Sequence, residues 1–177
     1  MSEQKKPKET CKDGRDKDDP GDDPNLVRLK ADEYSYIHEH LETLNMLKRL
    51  FKPNTILEIG TGRGDSTLAF ADACAMNGKG HIISLDTKDC GIAEDLIIFD
   101  EELGNYVSFI KSDSLKLDIQ GGIDILFIDG LHTYKQVKKE LEKYERSVED
   151  QGFIIFHDSN NFAHPGVQEA IQEFMLR

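Results

Sequence analysis

From Leu26 onward, apolar residues recur in two alternating rhythms. Ile37, Leu41, Leu44, Leu47 and Leu50 stand three and four apart, which predicts an amphipathic helix closed by Pro53 and Asn54. Short β-rich runs then alternate with helical stretches. Thr55 to Ile59 reads as a strand and Ser66 to Met76 as a helix. His81 to Asp86 reads as a second strand, followed by helix near Ile92 to Leu103. Tyr106 to Lys111 and Ile123 to Asp129 supply strands three and four. In the helix that follows, Val137, Leu141, Tyr144 and Val148 share one face, and Thr133 and Gln136 have capping-box spacing at its start. Gly152 ends that segment. Phe153 to Phe156 is a fifth strand, and a last helix over Val167 to Met175 carries Val167, Ala170, Ile171 and Phe174 as its stripe.

Strands that are apolar throughout, separated by helices, predict an α/β fold. Its parallel sheet is covered on both faces and joined by right-handed crossovers. Ligands of such sheets bind at the carboxyl ends of the strands. The unusual polar residues of this chain gather there: Glu58 to Gly64, Asp86, Asp113, Asp129 and the pair His157-Asp158. Residues 1–25 are dense in both charges and poor in apolar side chains, so they are expected to be a disordered tail ahead of one domain over 26–177.

Composition narrows the partners. The chain has 34 acidic against 22 basic residues, a formal charge of -12, which argues against nucleic acid. The sequence shows no membrane span and no signal-peptide core, so a cytoplasmic location is expected. Cys11, Cys74 and Cys90 fit neither a disulfide framework nor a zinc pattern and read as free thiols.

The loop Glu58-Ile59-Gly60-Thr61-Gly62-Arg63-Gly64 follows strand one. Its glycines let backbone approach a ligand closely. A dinucleotide fingerprint would need glycine where Asp65 stands. Asp65 suits a helix cap, and with Glu58 it makes a poor surrounding for two phosphates. A ligand carrying an ammonium and a sulfonium fits better. Asp86, at the end of strand two, can accept hydrogen bonds from both hydroxyls of a ribose.

These segments resemble the class I methyltransferases that use S-adenosylmethionine (SAM). Leu57 to Gly64 looks like the first motif of that family, Ser84-Leu85-Asp86 like its second, and Lys111-Ser112-Asp113-Ser114 stands where adenine is commonly contacted. The resemblance implies a Rossmann-like doubly wound sheet in the order 3-2-1-4-5. It places Glu58, Gly60, Thr61, Gly62, Gly64 and Ser66 near the methionine part, Asp86 on the ribose, and Asp113 with Ser114 near adenine. The usual sixth and seventh strands are not visible before Arg177, so a truncated domain is one expectation. An exposed edge on strand five, available for homo-oligomer formation, is another.

A second constellation lies after strands four and five. Asp129 and His132 follow one, and His157, Asp158, Ser159 and Asn160 end the other. Two carboxylates and two imidazoles on one rim could hold a hard divalent cation, Mg2+ or another. The segment resembles metal-dependent O-methyltransferases of catechol and sugar type and cephalosporin-hydroxylase-like proteins. In the catechol-type enzymes an Asp after strand four and an Asp-Asn pair after strand five hold the metal. The implied ligands are Asp129 and Asp158, with Ser159 standing where Asn is expected. Asp129 or His132 would act as base and His157 as a supporting partner. The reaction expected is attack of a hydroxyl of a small diol, catechol or sugar on the SAM methyl. A SAM-fold binding module without turnover and a hydroxylase-like enzyme of the same branch are the alternatives, with an NAD-dependent dehydrogenase disfavoured by Asp65.

Overall fold

The computed structural model describes residues 38–177, so the charged segment 1–25 and the first residue of the predicted helical stripe, Ile37, lie outside the described residues. In chain order the elements are α1 (His38–Phe51), β1 (Thr55–Ile59), α2 (Asp65–Asn77), β2 (His81–Asp86), α3 (Gly91–Ile98), β3 (Val107–Lys111), β4 (Ile123–Ile128), α4 (Tyr134–Tyr144), β5 (Val148–Phe156) and α5 (Pro165–Met175). The five strands form one sheet in the order β3-β2-β1-β4-β5, and every neighbouring pair is parallel. This is the predicted doubly wound arrangement.

Successive strand residues face opposite sides, so each apolar run divides between two cores. Ile56, Ile82, Ile125 and Phe127 pack beneath α1 and α2 with Leu41, Leu44, Phe70 and Cys74. Leu57, Leu85, Leu126 and Ile128 pack beneath α4 and α5 with Val137, Leu141, Tyr144 and Val167. Hydrogen bonds continue one residue past the strands: Gly60 N–H to Leu85 O, Asp129 N–H to Ile59 O, and His157 N–H to Ile128 O, at 2.8, 2.8 and 3.0 Å. They bring the glycine loop, Asp129 and His157 to one end of the sheet.

Three expectations change. The buried face of α1 is Leu41, Leu44, Asn45 and Lys48, whereas Leu50 is 67% exposed. Asn45 Nδ2 donates to Ala69 O and to Asp72 Oδ2 on α2, and Lys48 Nζ donates to Pro53 O at 2.8 Å and Lys79 O at 3.1 Å. A buried amide and ammonium are tolerated because carbonyl and carboxylate oxygens meet them. Second, α3 is shorter than expected. Asp100 Oδ1 accepts from the N–H groups of Glu102 and Leu103, a local turn that competes with helix. Third, α4 stops at Tyr144, and Val148 belongs to β5, paired with Ile123 ahead of a register irregularity before Phe153. One valine at helical spacing cannot distinguish the two elements. No helix among the described residues is long and apolar enough to cross a membrane, and Cys74 and Cys90 are free thiols.

Candidate functional site

A cleft of about 1080 Å³ opens at the carboxyl ends of the strands. Gly60, Thr61, Gly62, Asp65, Ser66, Asp86, Asp113 and Ser114 line one part of it, and Asp129, His132, His157 and Asp158 line another.

The glycine loop is held by close backbone approach. Gly60 has φ +102°, and a Cβ there would stand 2.1 Å from the Asp129 carbonyl oxygen. Gly62 has φ +52° with nothing within 4 Å of a Cβ position, so its backbone faces open space. Its N–H donates to Asp86 Oδ2 at 3.1 Å, and Lys88 N–H donates to Asp86 Oδ1 at 2.9 Å. The Asp86 carboxylate is thereby fixed at the cleft wall. Gly64, the residue before α2, packs on Ala93 and lies outside the lining. Asp65 is the first helical residue and makes no cap; its charge meets the positive end of α2.

Glu58 is fully buried beneath the loop and does not line the cleft. Its Oε1 accepts from the Ser66 hydroxyl, and its Oε2 accepts from Thr67 and from Ser84, each at 2.5 Å. Burial pushes its carboxyl up to about 7 against the pull of those three hydroxyls, and the neighbouring Asp129 charge adds to the rise. Glu58 therefore anchors the loop from beneath, with both carboxylate oxygens already occupied. Thr61 faces the cleft, yet its hydroxyl is shared with Ser84 at 2.8 Å.

At the far side, Asp113 Oδ1 accepts from Leu115 N–H at 3.0 Å as an ordinary turn. Ser114 donates to Glu140 Oε1 at 2.6 Å, and Gln136 Nε2 donates to the same oxygen at 2.9 Å. The other carboxylate oxygen of Glu140 is buried without a partner, and burial raises its carboxyl. Sequence reasoning missed Glu140. The available signal was an acid on the same helical face as Val137, Leu141 and Tyr144. Gln136 spends its side chain here, so the capping box is half made: Thr133 Oγ1 accepts from Gln136 N–H, with no return bond.

The β4–β5 rim is built from charge. His132 Nε2 lies 3.0 Å from Asp129 Oδ1 and 3.6 Å from Asp158 Oδ2; His157 Nδ1 lies 3.1 Å and 3.4 Å from the same two oxygens. Burial alone would raise Asp129, but the two imidazoles outweigh it and hold the carboxyl below its ordinary value. Asp129 in turn raises His157 against the opposing effect of burial. Asp158 sits at φ +56°, a left-handed conformation that Asp tolerates. His164 Nε2 is 3.6 Å from Asp158 Oδ2, and Asn161 Nδ2 donates to Asp158 Oδ1 at 2.8 Å. Ser159 is exposed and does not line the cleft; His132, His157, His164 and Asn161 stand around Asp158.

Comparison with known proteins agrees with the fold. A curated relative, an uncharacterized protein R132 from Acanthamoeba polyphaga mimivirus, is 29% identical over 154 residues, covering 78% of this chain and 67% of its own length. The SAH-bound methyltransferase PaMTH1 of Podospora anserina superposes with TM-score 0.67 at 16% identity, over 78% of this chain and 69% of its own. A putative caffeoyl-CoA O-methyltransferase of Staphylococcus aureus gives 0.64 at 21% identity, over 78% and 73%. A family model described as a methyltransferase domain matches residues 57–159, more than half the chain. The chain belongs to that methyltransferase-domain family.

Proposed function

We propose that the chain transfers a methyl group from SAM to a hydroxyl oxygen of a small diol-, catechol- or sugar-like acceptor. The observation that carries this reading is the continuity of the cleft: the glycine loop with Asp86 and the acid–histidine rim line one space. A donor lying along the first would present its methyl group towards an acceptor held at the second. The solved structures of similar fold include SAH-bound and O-methyltransferase examples, which supports the choice of cofactor and of oxygen as acceptor.

Each part of the chain has a defined task. Gly62 offers open backbone at the loop, and Ser66 and Asp65 place polar groups beside it. The Asp86 carboxylate, already oriented by Gly62 and Lys88 N–H groups, retains lone pairs for a ribose diol. Asp113 with Ser114 bounds the adenine end, where the Ser114 hydroxyl is already committed to Glu140. Because the donor arrives activated, the protein chiefly orients and desolvates the reactants. Asp129 and His132 are the groups at the rim able to take the acceptor proton. A divalent cation between Asp129 and Asp158 would bind acceptor oxygens and lower the pKa of the attacking hydroxyl.

Calorimetric titration with S-adenosylhomocysteine, with NAD as control, tests the cofactor. Micromolar binding that disappears in Gly62→Arg is the expected result. A folded chain that binds neither ligand would overturn the reading. Methylation of catechol by the same preparation, with and without added Mg2+, then tests the acceptor class.

A further inference from the structure

The four groups at the β4–β5 rim form a closed ring. In order, Asp129 Oδ1, His132 Nε2, Asp158 Oδ2 and His157 Nδ1 are separated by 3.0, 3.6, 3.4 and 3.1 Å. The same atom of each residue faces both neighbours, so acid and imidazole alternate around one central point. Asp129, His132 and His157 meet the spacing for a shared ion. His164 Nε2 adds a fifth donor on the Asp158 side, and His132, Asp158 and His164 together meet the spacing for a shared ion.

A simple ion-pair network would align each ring N–H with one carboxylate. His132 is so aligned with Asp129. His157 Nδ1 is buried and shared between the two carboxylates, 3.1 Å from Asp129 and 3.4 Å from Asp158, and is well aligned with neither. A buried ring nitrogen without an aligned partner is costly, and as a neutral imidazole it can offer a lone pair to an ion. An ion at the centre of the ring would meet it.

The donor chemistry then decides which ion. Mg2+ demands oxygen ligands in near-ideal octahedral geometry and retains water, whereas imidazole suits Zn, Fe, Ni and Cu. Half of this ring is imidazole, and Ser159, the residue expected to complete an oxygen set, is exposed and does not line the cleft. We infer that Asp129, His132, His157 and Asp158 form a site for a nitrogen-preferring first-row divalent ion such as Zn2+, in preference to Mg2+. This deepens the cation part of the proposed function, makes His132 a ligand and not the proton acceptor when the ion is bound, and does not depend on methyl transfer.

The test uses the full 177-residue chain stripped of metal, titrated with Zn2+ and separately with Mg2+ in equilibrium dialysis. One Zn2+ per chain is expected, held at least about 100-fold more tightly than Mg2+. His132→Ala and His157→Ala should each weaken Zn2+ by at least about tenfold, while His81→Ala, on a half-buried histidine at the opposite end of β2, should not. Where His157→Ala fails to fold, His132→Asn carries the same comparison. Co2+ in place of Zn2+ should give visible ligand-field bands that disappear in His132→Asn. Equal affinity for Mg2+, no Zn2+ bound by a folded chain, or Zn2+ affinity indifferent to His132 would each overturn the assignment. Binding of S-adenosylhomocysteine to the stripped chain, measured alongside, reports on the cofactor reading separately.

Discussion

The two halves of the cleft are held by different physics. Around the glycine loop, the buried Glu58 has both oxygens occupied by hydroxyls and the loop closes on backbone contacts, while Glu140, whose Oε2 is unpartnered, lies with Ser114 at the far side. At the β4–β5 rim, carboxylates and imidazoles face one another, and His157 Nδ1 is well aligned with neither acid. A complete network fixes a shape; an incomplete one has capacity for a ligand. The first half therefore reads as a preformed cradle and the second as a reactive or ion-binding edge.

The sharpest way to break the cradle is Gly60→Ala. Its Cβ would collide with the Asp129 carbonyl at 2.1 Å in a left-handed conformation, so a loss of about 3 kcal/mol or more is expected in denaturant unfolding. Because that carbonyl belongs to the rim, this one substitution should disturb both halves. Gly62→Arg separates them: with open space around Gly62, the fold should survive while S-adenosylhomocysteine affinity falls at least about 100-fold, read by calorimetry.

Next comes His132→Ala. If the rim supplies the proton acceptor, turnover should fall by about 10²-fold or more with cofactor affinity unchanged. A parallel loss of cofactor binding would show that the two halves are not independent.

Glu58 gives a pH signature. Its carboxyl rises from an ordinary 4.5 to about 7 on folding, so the folded state holds the proton more tightly than the unfolded chain. Its contribution to stability is complete below pH about 4.5 and is lost as pH rises towards 7, a change of about 3 kcal/mol. Glu58→Gln should flatten that part of the stability–pH profile, measured by urea unfolding. An unchanged slope would mean that other groups set it. The smallest effect is expected at Leu50→Ala on the exposed face of α1, within about 0.5 kcal/mol of the parent.

Much of this was legible beforehand because it depended on local pattern. β1 and β2 fall where predicted, since continuous β-branched runs bounded by turn residues admit few other readings. The boundary between α4 and β5 did not, because Val148 satisfies helical spacing and strand pairing equally. In the site, Gly60, Gly62, Asp86, Asp129 and Asp158 stand out by type and position. Glu140 and His164 do not: one hides on an apolar helical face, the other precedes α5 in a turn with no neighbouring signal.

By itself the sequence determined the α/β alternation, the strands and the end of the sheet where polar residues collect, because period and turn chemistry are local. Only the tertiary structure decided that Glu58 is an anchor, that Lys48 and Asn45 are buried, and that four donors close into a ring. Those facts depend on which distant groups a side chain meets, and a one-dimensional pattern carries no distances.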